Sequence, residues 1–261
     1  MQRRDFLRLS AAGALSSRAM IAAEPESTNQ YYELRFVQLR NSKANQSGRM
    51  SEFLEKHHLP MTQRLKLGPV GYFQIHLGPD SPKLVTLTTY NSMADVESKR
   101  AAMRADKEWM KAVEEFGSAD QAPYDRQEVW LLRAFDGMPK LEAPPIGEKQ
   151  THLFDLRTYE AESERDSEEK VRMFDTEEIK IFRRSGINPV FFGKTLFGSK
   201  MPNLTYLVWY DDLDARAAAW SKFLNDPDWK RIRVQPGWSD AEIVSNVSNT
   251  FLRGLPFSPI R

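Results

Sequence analysis

This chain carries one pattern twice, and the duplication constrains its fold more than any other feature. Residues 50–135, shifted by 120 positions, fall on residues 170–255 without a gap. Arg64 then meets Arg184, Pro69-Val70 meets Pro189-Val190, Gly78 meets Gly198, and Pro82 meets Pro202. Farther along, Tyr90 meets Tyr210, Asp106 and Trp109 meet Asp226 and Trp229, and Leu132-Arg133 meets Leu252-Arg253. Upstream, Tyr32-Glu33-Leu34-Arg35 matches Phe154-Asp155-Leu156-Arg157 at a shift of 122, so only a short loop differs in length. Proline restricts the backbone, glycine frees it, and tryptophan fills a large volume. Their coincidence at matched positions marks a tandem duplication of a unit of roughly 105 residues, the length of one small domain.

Composition removes several function classes. Zero cysteines exclude disulfides, thiolate nucleophiles and cysteine-ligated metals. A formal net charge of +1 gives no global field for nucleic acid. No stretch after the N-terminal segment is apolar for long enough to span a membrane. Residues 1–23 read as a twin-arginine export signal: Arg3-Arg4-Asp5-Phe6-Leu7, a weakly apolar run over 9–15, and a small-residue end at Ile21-Ala22-Ala23. Cleavage near Ala23 and an extracytoplasmic, periplasmic location follow as expectations. Because that route carries folded proteins, it suits a protein that finishes folding or acquires a ligand in the cytoplasm.

Periodicity supplies the elements. Residues 30–40 alternate and end in a polar loop, as a strand does. Residues 49–66 place Met50, Phe53, Leu54, His57/His58, Met61 and Leu65 at the spacing of an amphipathic helix, which Pro60 is expected to kink or divide. Residues 71–77 and 83–90 alternate around the turn Gly78-Pro79-Asp80-Ser81-Pro82. Ser92 can cap a helix over 93–116, and 128–135 reads as the final strand. The order β-α-β-β-α-β occurs in both copies, so the fold class is α+β, two tandem ferredoxin-like repeats. The first repeat spans 30–136, a Gly/Pro-rich linker 137–150, and the second repeat 151–257.

Each four-stranded sheet has one face for its helices and one left over. The apolar alternation set, including Leu34, Phe36, Phe73, Ile75, Leu77, Val85, Leu87, Trp130 and Leu132, is assigned to the helix side. The opposite set mixes charges and aromatics: Glu33, Arg35, Tyr72, His76, Tyr90 and Arg133, and in the second repeat Asp155, Arg157, Tyr206, Tyr210 and Arg253. Left exposed, it would form a large sticky patch. Stacking the two sheets face to face removes the patch and gives an α/β barrel within one chain, with a partly polar lumen.

These residues also resemble a known family. The Tyr32–Arg35 opening strand, His58-Leu59-Pro60 in the first helix, Gly68-Pro69-Val70-Gly71 into the second strand, and Leu84-x-x-Leu87-x-x-Tyr90 are similar to the NIPSNAP family, across both repeats. The resemblance implies the dimeric α/β-barrel fold. Family members mostly have no assigned activity, and animal members are linked to mitochondria and vesicle traffic. The wider barrel superfamily includes cofactor-free monooxygenases, lactone isomerases and haem-handling enzymes, which are analogies of fold. The second repeat departs from the pattern, with Glu177-Glu178 in place of His57-His58 and Asn188 in place of Gly68, so a histidine-based site would occur once per chain.

Candidate chemistry lies in three groups. His57 and His58 are the candidate catalytic residues, as general base or iron ligand; the competing reading is an interfacial histidine bonded to backbone freed by Pro60. Two adjacent histidines of a regular helix point about 100° apart and cannot readily chelate one metal. Glu33, Arg35 and Arg133, with Asp155, Arg157 and Arg253, form a duplicated charge set. It is readable as cross-strand ion pairs Glu33–Arg133 and Asp155–Arg253, or as an anion site. Tyr72, Tyr90, Tyr206 and Tyr210, with His76, would line the lumen and hold a planar ligand, or would simply pack it. No metal site and no cofactor is expected from these residues; haem is the alternative.

Three functions follow in order: a binder of a small apolar or anionic molecule in the barrel or a helix–sheet cleft; a cofactor-independent monooxygenase or isomerase; and a structural or partner-binding protein with a filled barrel. A homodimer through edge strands is the alternative to a barrel completed by one chain.

Overall fold

The computed structural model describes residues 29–147 and 151–261. The export signal read from residues 1–23 lies outside the described residues. Each repeat supplies four strands: β1 (Tyr31–Gln38), β2 (Val70–Leu77), β3 (Lys83–Tyr90) and β4 (Arg126–Ala134), then β5 (Leu153–Glu160), β6 (Asn188–Phe197), β7 (Asn203–Tyr210) and β8 (Asn246–Gly254). They close into one barrel in the order β1-β3-β2-β8-β5-β7-β6-β4. Within each repeat the first and last strands are antiparallel neighbours, as the ferredoxin-like order requires. The repeats join through β2–β8 and β4–β6, each with a register shift. A chain that closes its own barrel leaves no edge strand in the sheet.

The alternation sorts residues into two faces as expected, but the faces look the opposite way. The apolar set fills the lumen: Leu34, Phe73, Leu87, Trp130 and Leu132 of the first repeat interlock with Phe154, Leu156, Phe191, Leu207 and Leu252 of the second. Leu77, at the end of β2, is exposed. The mixed set faces the helices, where Tyr72 packs with Met50 and Leu54, and Tyr206 and Tyr210 pack with Phe182 and Phe223. An eight-stranded barrel is just wide enough to be filled by side chains, and its closed interior gives charged groups neither water nor partners. The helix layer of the first repeat stays open, so Arg35 and Arg100 reach both the buried Glu33 carboxylate and solvent there.

The register also corrects the charge pairs. Arg133 lies opposite Tyr31 and Arg253 opposite Leu153. Glu33 instead pairs with Arg35 and Arg100, and Asp155 with Arg157 and Arg216. Arg133 pairs with Asp136, and Arg253 donates to the carbonyl of Thr151.

The helices carry the same devices in both repeats. α1 (Gln46–Phe53) runs through a π-helical turn, Leu54–His58, into α2 (Leu59–Arg64). α5 (Glu164–Met173) runs through the π turn Phe174–Glu178 into α6 (Ile179–Ser185). Pro60 is not the cause of the π turn, because its counterpart Lys180 follows the same irregularity. The expected helix over 93–116 is two, α3 (Met93–Ala105) and α4 (Lys107–Gly117), broken at Asp106. Asp106 caps α4 by accepting from the Trp109 amide, and Arg64 grips the same carboxylate. Asp226 likewise separates α7 (Leu213–Asn225) from α8 (Pro227–Ile232), accepting from Trp229 N–H and from Arg184. The duplicated Asp-x-x-Trp is therefore a helix-capping device. A short helix, α9 (Asp240–Ile243), precedes β8.

The segment after each repeat crosses to the other. Leu255 N–H donates to Tyr72 O and the Tyr72 amide donates to Ser258 Oγ, while Ile260 enters the lumen core. Phe135 N–H donates to Phe192 O in the mirrored position. Since the packed lumen holds both sheets together, Leu132→Ala is expected to cost about 3 kcal/mol, as for other fully buried leucines. Urea denaturation of the purified variant checks this, and a loss near zero would contradict a filled lumen.

Candidate functional site

A cavity of about 420 Å³ opens between sheet and helices of the first repeat. From the sheet come Glu33, Arg35, Thr86, Thr88 and Tyr90. Met50, Leu54 and His58 reach it from the first helix pair, and Arg100, Met103 and Arg104 from α3. Trp109 and Phe116 of α4 complete an apolar wall, against which Phe53 stacks on Phe116 at 4.3 Å. The charged groups form one connected cluster. Arg35 Nη2 donates to Glu33 Oε1 at 2.7 Å, Arg35 Nη1 to Gln127 Oε1 at 2.8 Å, and Arg100 Nη2 to Glu33 Oε2 at 2.7 Å. Burial alone would raise the Glu33 carboxyl; the guanidinium groups of Arg35 and Arg100 outweigh it and hold the group below its usual range. Arg104 has no ion pair among the described residues. Three guanidinium groups thus face one carboxylate.

His58 is the histidine that enters the cleft. Its Nδ1 lies 2.8 Å from Tyr72 Oη, and its ring meets Tyr72 and Trp109 edge-on. Tyr72 is held through its backbone by Leu255 and Ser258, so the post-barrel segment of the second repeat fixes the partner of His58. Burial, and secondarily the positive charge of Arg35, pull the imidazole down to about 4. His58 is therefore neutral at pH 7. The same burial raises the Tyr72 phenol, which stays protonated.

The second repeat has the same architecture with the space filled. Phe174, Phe182, Phe192, Tyr206 and Phe223 pack into one aromatic core. Lys170, at the place of Met50, points its fully buried ammonium between the rings of Tyr159, Phe174 and Trp229. It pairs at 3.2 Å with Glu178, the counterpart of His58, and at 3.0 Å with Asp240. Burial pulls the ammonium down, but Glu178 and Asp240 more than offset this and keep it charged.

Of the residues singled out in the sequence, the structure brings together Glu33, Arg35, His58 and Tyr90, with Tyr72 directly behind His58. His57 lies outside the cleft, on a shallow surface groove with Arg49 and Glu52. His76 is exposed near the register shift in β2. Arg133 and Arg253 lie outside the cleft lining, whereas Arg157 and Tyr210 belong to the filled helix layer of the second repeat, where Arg157 stacks on Trp220 at 4.6 Å. Arg100, Arg104 and Gln127 escaped the sequence reading. The one signal for Arg100 is the difference in volume from Trp220, its counterpart in the gap-free alignment of the two repeats. Among the described residues no group of histidines and carboxylates could hold a metal ion, and no helix is long and apolar enough to cross a membrane.

A closed antiparallel barrel with paired ferredoxin-like repeats and a helix–sheet cleft defines the dimeric α/β-barrel class. The NIPSNAP family model matches residues 32–133 and 154–259, and the chain belongs to that family. The solved structure of a putative monooxygenase from Lactobacillus acidophilus is similar in fold: 10% identity over 86% of this chain and 93% of that one, with a TM-score of 0.56. A second protein so named, from Fusobacterium nucleatum, is 9% identical over 87% and 93%, with a TM-score of 0.51. A NIPSNAP-like domain protein from Burkholderia xenovorans is 22% identical over 42% of this chain and 91% of its own, with a TM-score of 0.38. No curated protein matches the chain in sequence.

The depressed His58 imidazole gives an expected pH dependence. The unfolded chain takes up this proton near pH 6.5, and the folded chain only near pH 4. Its contribution to stability is complete above pH 6.5 and is lost as pH falls from 6.5 to about 4. His58→Gln is expected to flatten that part of the profile, by up to about 1.4 kcal/mol per pH unit for one proton. Denaturant melts of both proteins at pH 4, 5, 6 and 7 measure it; parallel profiles would show that His58 is not the buried neutral group.

Proposed function

We propose that this chain binds one small, mostly apolar molecule bearing an acidic or anionic oxygen, in the cleft of the first repeat. The observation that carries the reading is the asymmetry of the duplication: one helix–sheet layer is filled by aromatic side chains while the matched layer keeps a cavity of about 420 Å³. That size suits a small organic ligand. The wall of Leu54, Met50, Trp109 and Phe116 supplies apolar contact, and Arg35, Arg100 and Arg104 leave an excess of two positive charges over Glu33 (three minus one). The lumen, packed by both repeats, is the poorer host. The twin-arginine segment supports an extracytoplasmic setting for a protein that crosses the membrane already folded.

A second reading, cofactor-independent oxygenation or isomerisation, is favoured by the neutral His58 imidazole in the same cleft. A base whose conjugate acid has a pKa of about 4 removes only a proton that is already acidic. This confines the chemistry to activated enols or phenols, with Arg35 and Arg100 beside the anion produced. The monooxygenase name carried by the two barrel neighbours is theirs, and at 9–10% identity it conveys fold.

Titration with 1-anilinonaphthalene-8-sulfonate, an apolar anion, tests the binding reading. One bound molecule per chain is expected. Leu54→Phe and Thr86→Tyr, which install the second repeat's residues, are expected to abolish it. Arg100→Met is expected to weaken it about tenfold, the worth of one charge-assisted hydrogen bond. Unchanged binding by the two filling variants would place the dye elsewhere and contradict the reading.

A further inference from the structure

Resting on the reading of the first-repeat cleft as a binding site, we propose that its ligand is a phenolic aromatic whose hydroxyl oxygen sits at Arg35. The second repeat serves as an internal template. Five lining residues without a ring of their own have rings at the matched positions: Val37 is matched by Tyr159, Leu54 by Phe174, Thr86 by Tyr206, Arg100 by Trp220, and Met103 by Phe223. The backbone frame is shared down to the π turn and the Asp-x-x-Trp cap. The volume open in the first repeat is therefore the volume that the second fills with aromatic rings. Those rings contact one another: Tyr159 and Tyr206 at 5.5 Å between centroids, and Phe174 and Tyr206 at 5.5 Å. A ligand that restores the lost contacts is flat and aromatic, with area for edge and face packing.

The polar end of the template is equally specific. Arg157, the counterpart of Arg35, donates from Nη2 to the Tyr159 phenol at 3.2 Å, and the Tyr206 hydroxyl lies 3.1 Å from the same oxygen. The first repeat keeps the arginine but has Val37 and Thr86 in place of the two phenols. Arg35 lines the cavity with its side chain 36% exposed; Nη2 donates to Glu33 and Nη1 to Gln127, and the second N–H of each nitrogen is left for a ligand where Arg157 meets a phenol in the second repeat. The carboxylate partner of Arg35 is already present, because Glu33 is buried against it and Arg100. At Arg35 itself a second carboxylate would lie beside the Glu33 carboxylate, while Arg100 and Arg104 face an anionic group placed elsewhere in the cleft. A hydroxyl accepts from an arginine and donates to a carboxylate at once, so it satisfies both.

Isothermal titration of the full chain with 2-naphthol, 2-naphthoate and decahydro-2-naphthol tests this. The proposal expects 2-naphthol to bind one per chain, at least tenfold tighter than either of the others. Val37→Tyr and Thr86→Tyr, each bringing the template's own phenol into the cleft, are expected to abolish that binding. Circular dichroism and a thermal melt confirm that each variant folds, and either variant suffices. If 2-naphthoate binds as tightly as 2-naphthol, or the decahydro analogue does, the phenolic aromatic class is overturned while the binding site stands. If 2-naphthol binds equally well to both filled variants, its site is elsewhere and the proposal fails. If anilinonaphthalene sulfonate fills the cleft and 2-naphthol does not bind, only this proposal fails. If neither binds, the reading of the cleft falls with it.

Discussion

Closure of eight strands into one barrel determines which residues of this chain are free to act. β2–β8 and β4–β6 join the two repeats, and the lumen they enclose is filled from both sides by Leu34, Leu87, Leu132, Leu156, Leu207 and Leu252. A space of this width has no room for a ligand once leucines and phenylalanines occupy it. Most of the apolar alternation set is consumed by that packing, and the polar and aromatic remainder is turned toward the helices. The open site is consequently a helix–sheet cleft.

Duplication then divides the labour. The second repeat fills its helix layer with rings and neutralises its one buried ammonium with Glu178 and Asp240. A buried pair of this kind specifies geometry more than it stabilises, and here it holds the π turn, through Glu178, against α9. The first repeat keeps smaller residues at the same places and has a neutral histidine where the second has Glu178. The two layers are linked, since the segment after the second repeat fixes Tyr72 and hence His58. A filled half steadies an open one, which lets the cleft keep a cavity and a buried charge cluster within a stable fold.

Much of the fold was legible in the sequence. Matched prolines, glycines and tryptophans gave the repeat, and alternation gave the strands and their order. Alternation also separated Leu34 from Glu33 and Phe73 from Tyr72. A period of two distinguishes two faces but carries no sign for which looks inward; apolarity alone points to the helix side, and closure of the barrel turns that face into the lumen. The site was less legible. Helical spacing leaves His57 and His58 equivalent; both lie on a π turn, which no periodicity signals, and only His58 enters the cleft. Arg100 reads as an ordinary solvated helix charge until it is set beside Trp220. In a duplicated chain, positions where volume differs between copies are more informative than positions where chemistry agrees. Asp106 and Trp109 agree because they cap and pack a helix, whereas Thr86 and Tyr206 differ because one layer is open and the other closed.

One helix–sheet layer is thus open, and the other, with the lumen, is closed. A crystal pressurised with xenon tests it most directly, because xenon enters apolar cavities without requiring a particular chemistry. Anomalous density is expected in the first repeat beside Met50, Leu54 and Phe116, and none is expected among Phe174, Phe192 and Tyr206 or between Leu132 and Leu252. Xenon in the lumen or in the second repeat, or in neither repeat, would contradict the account.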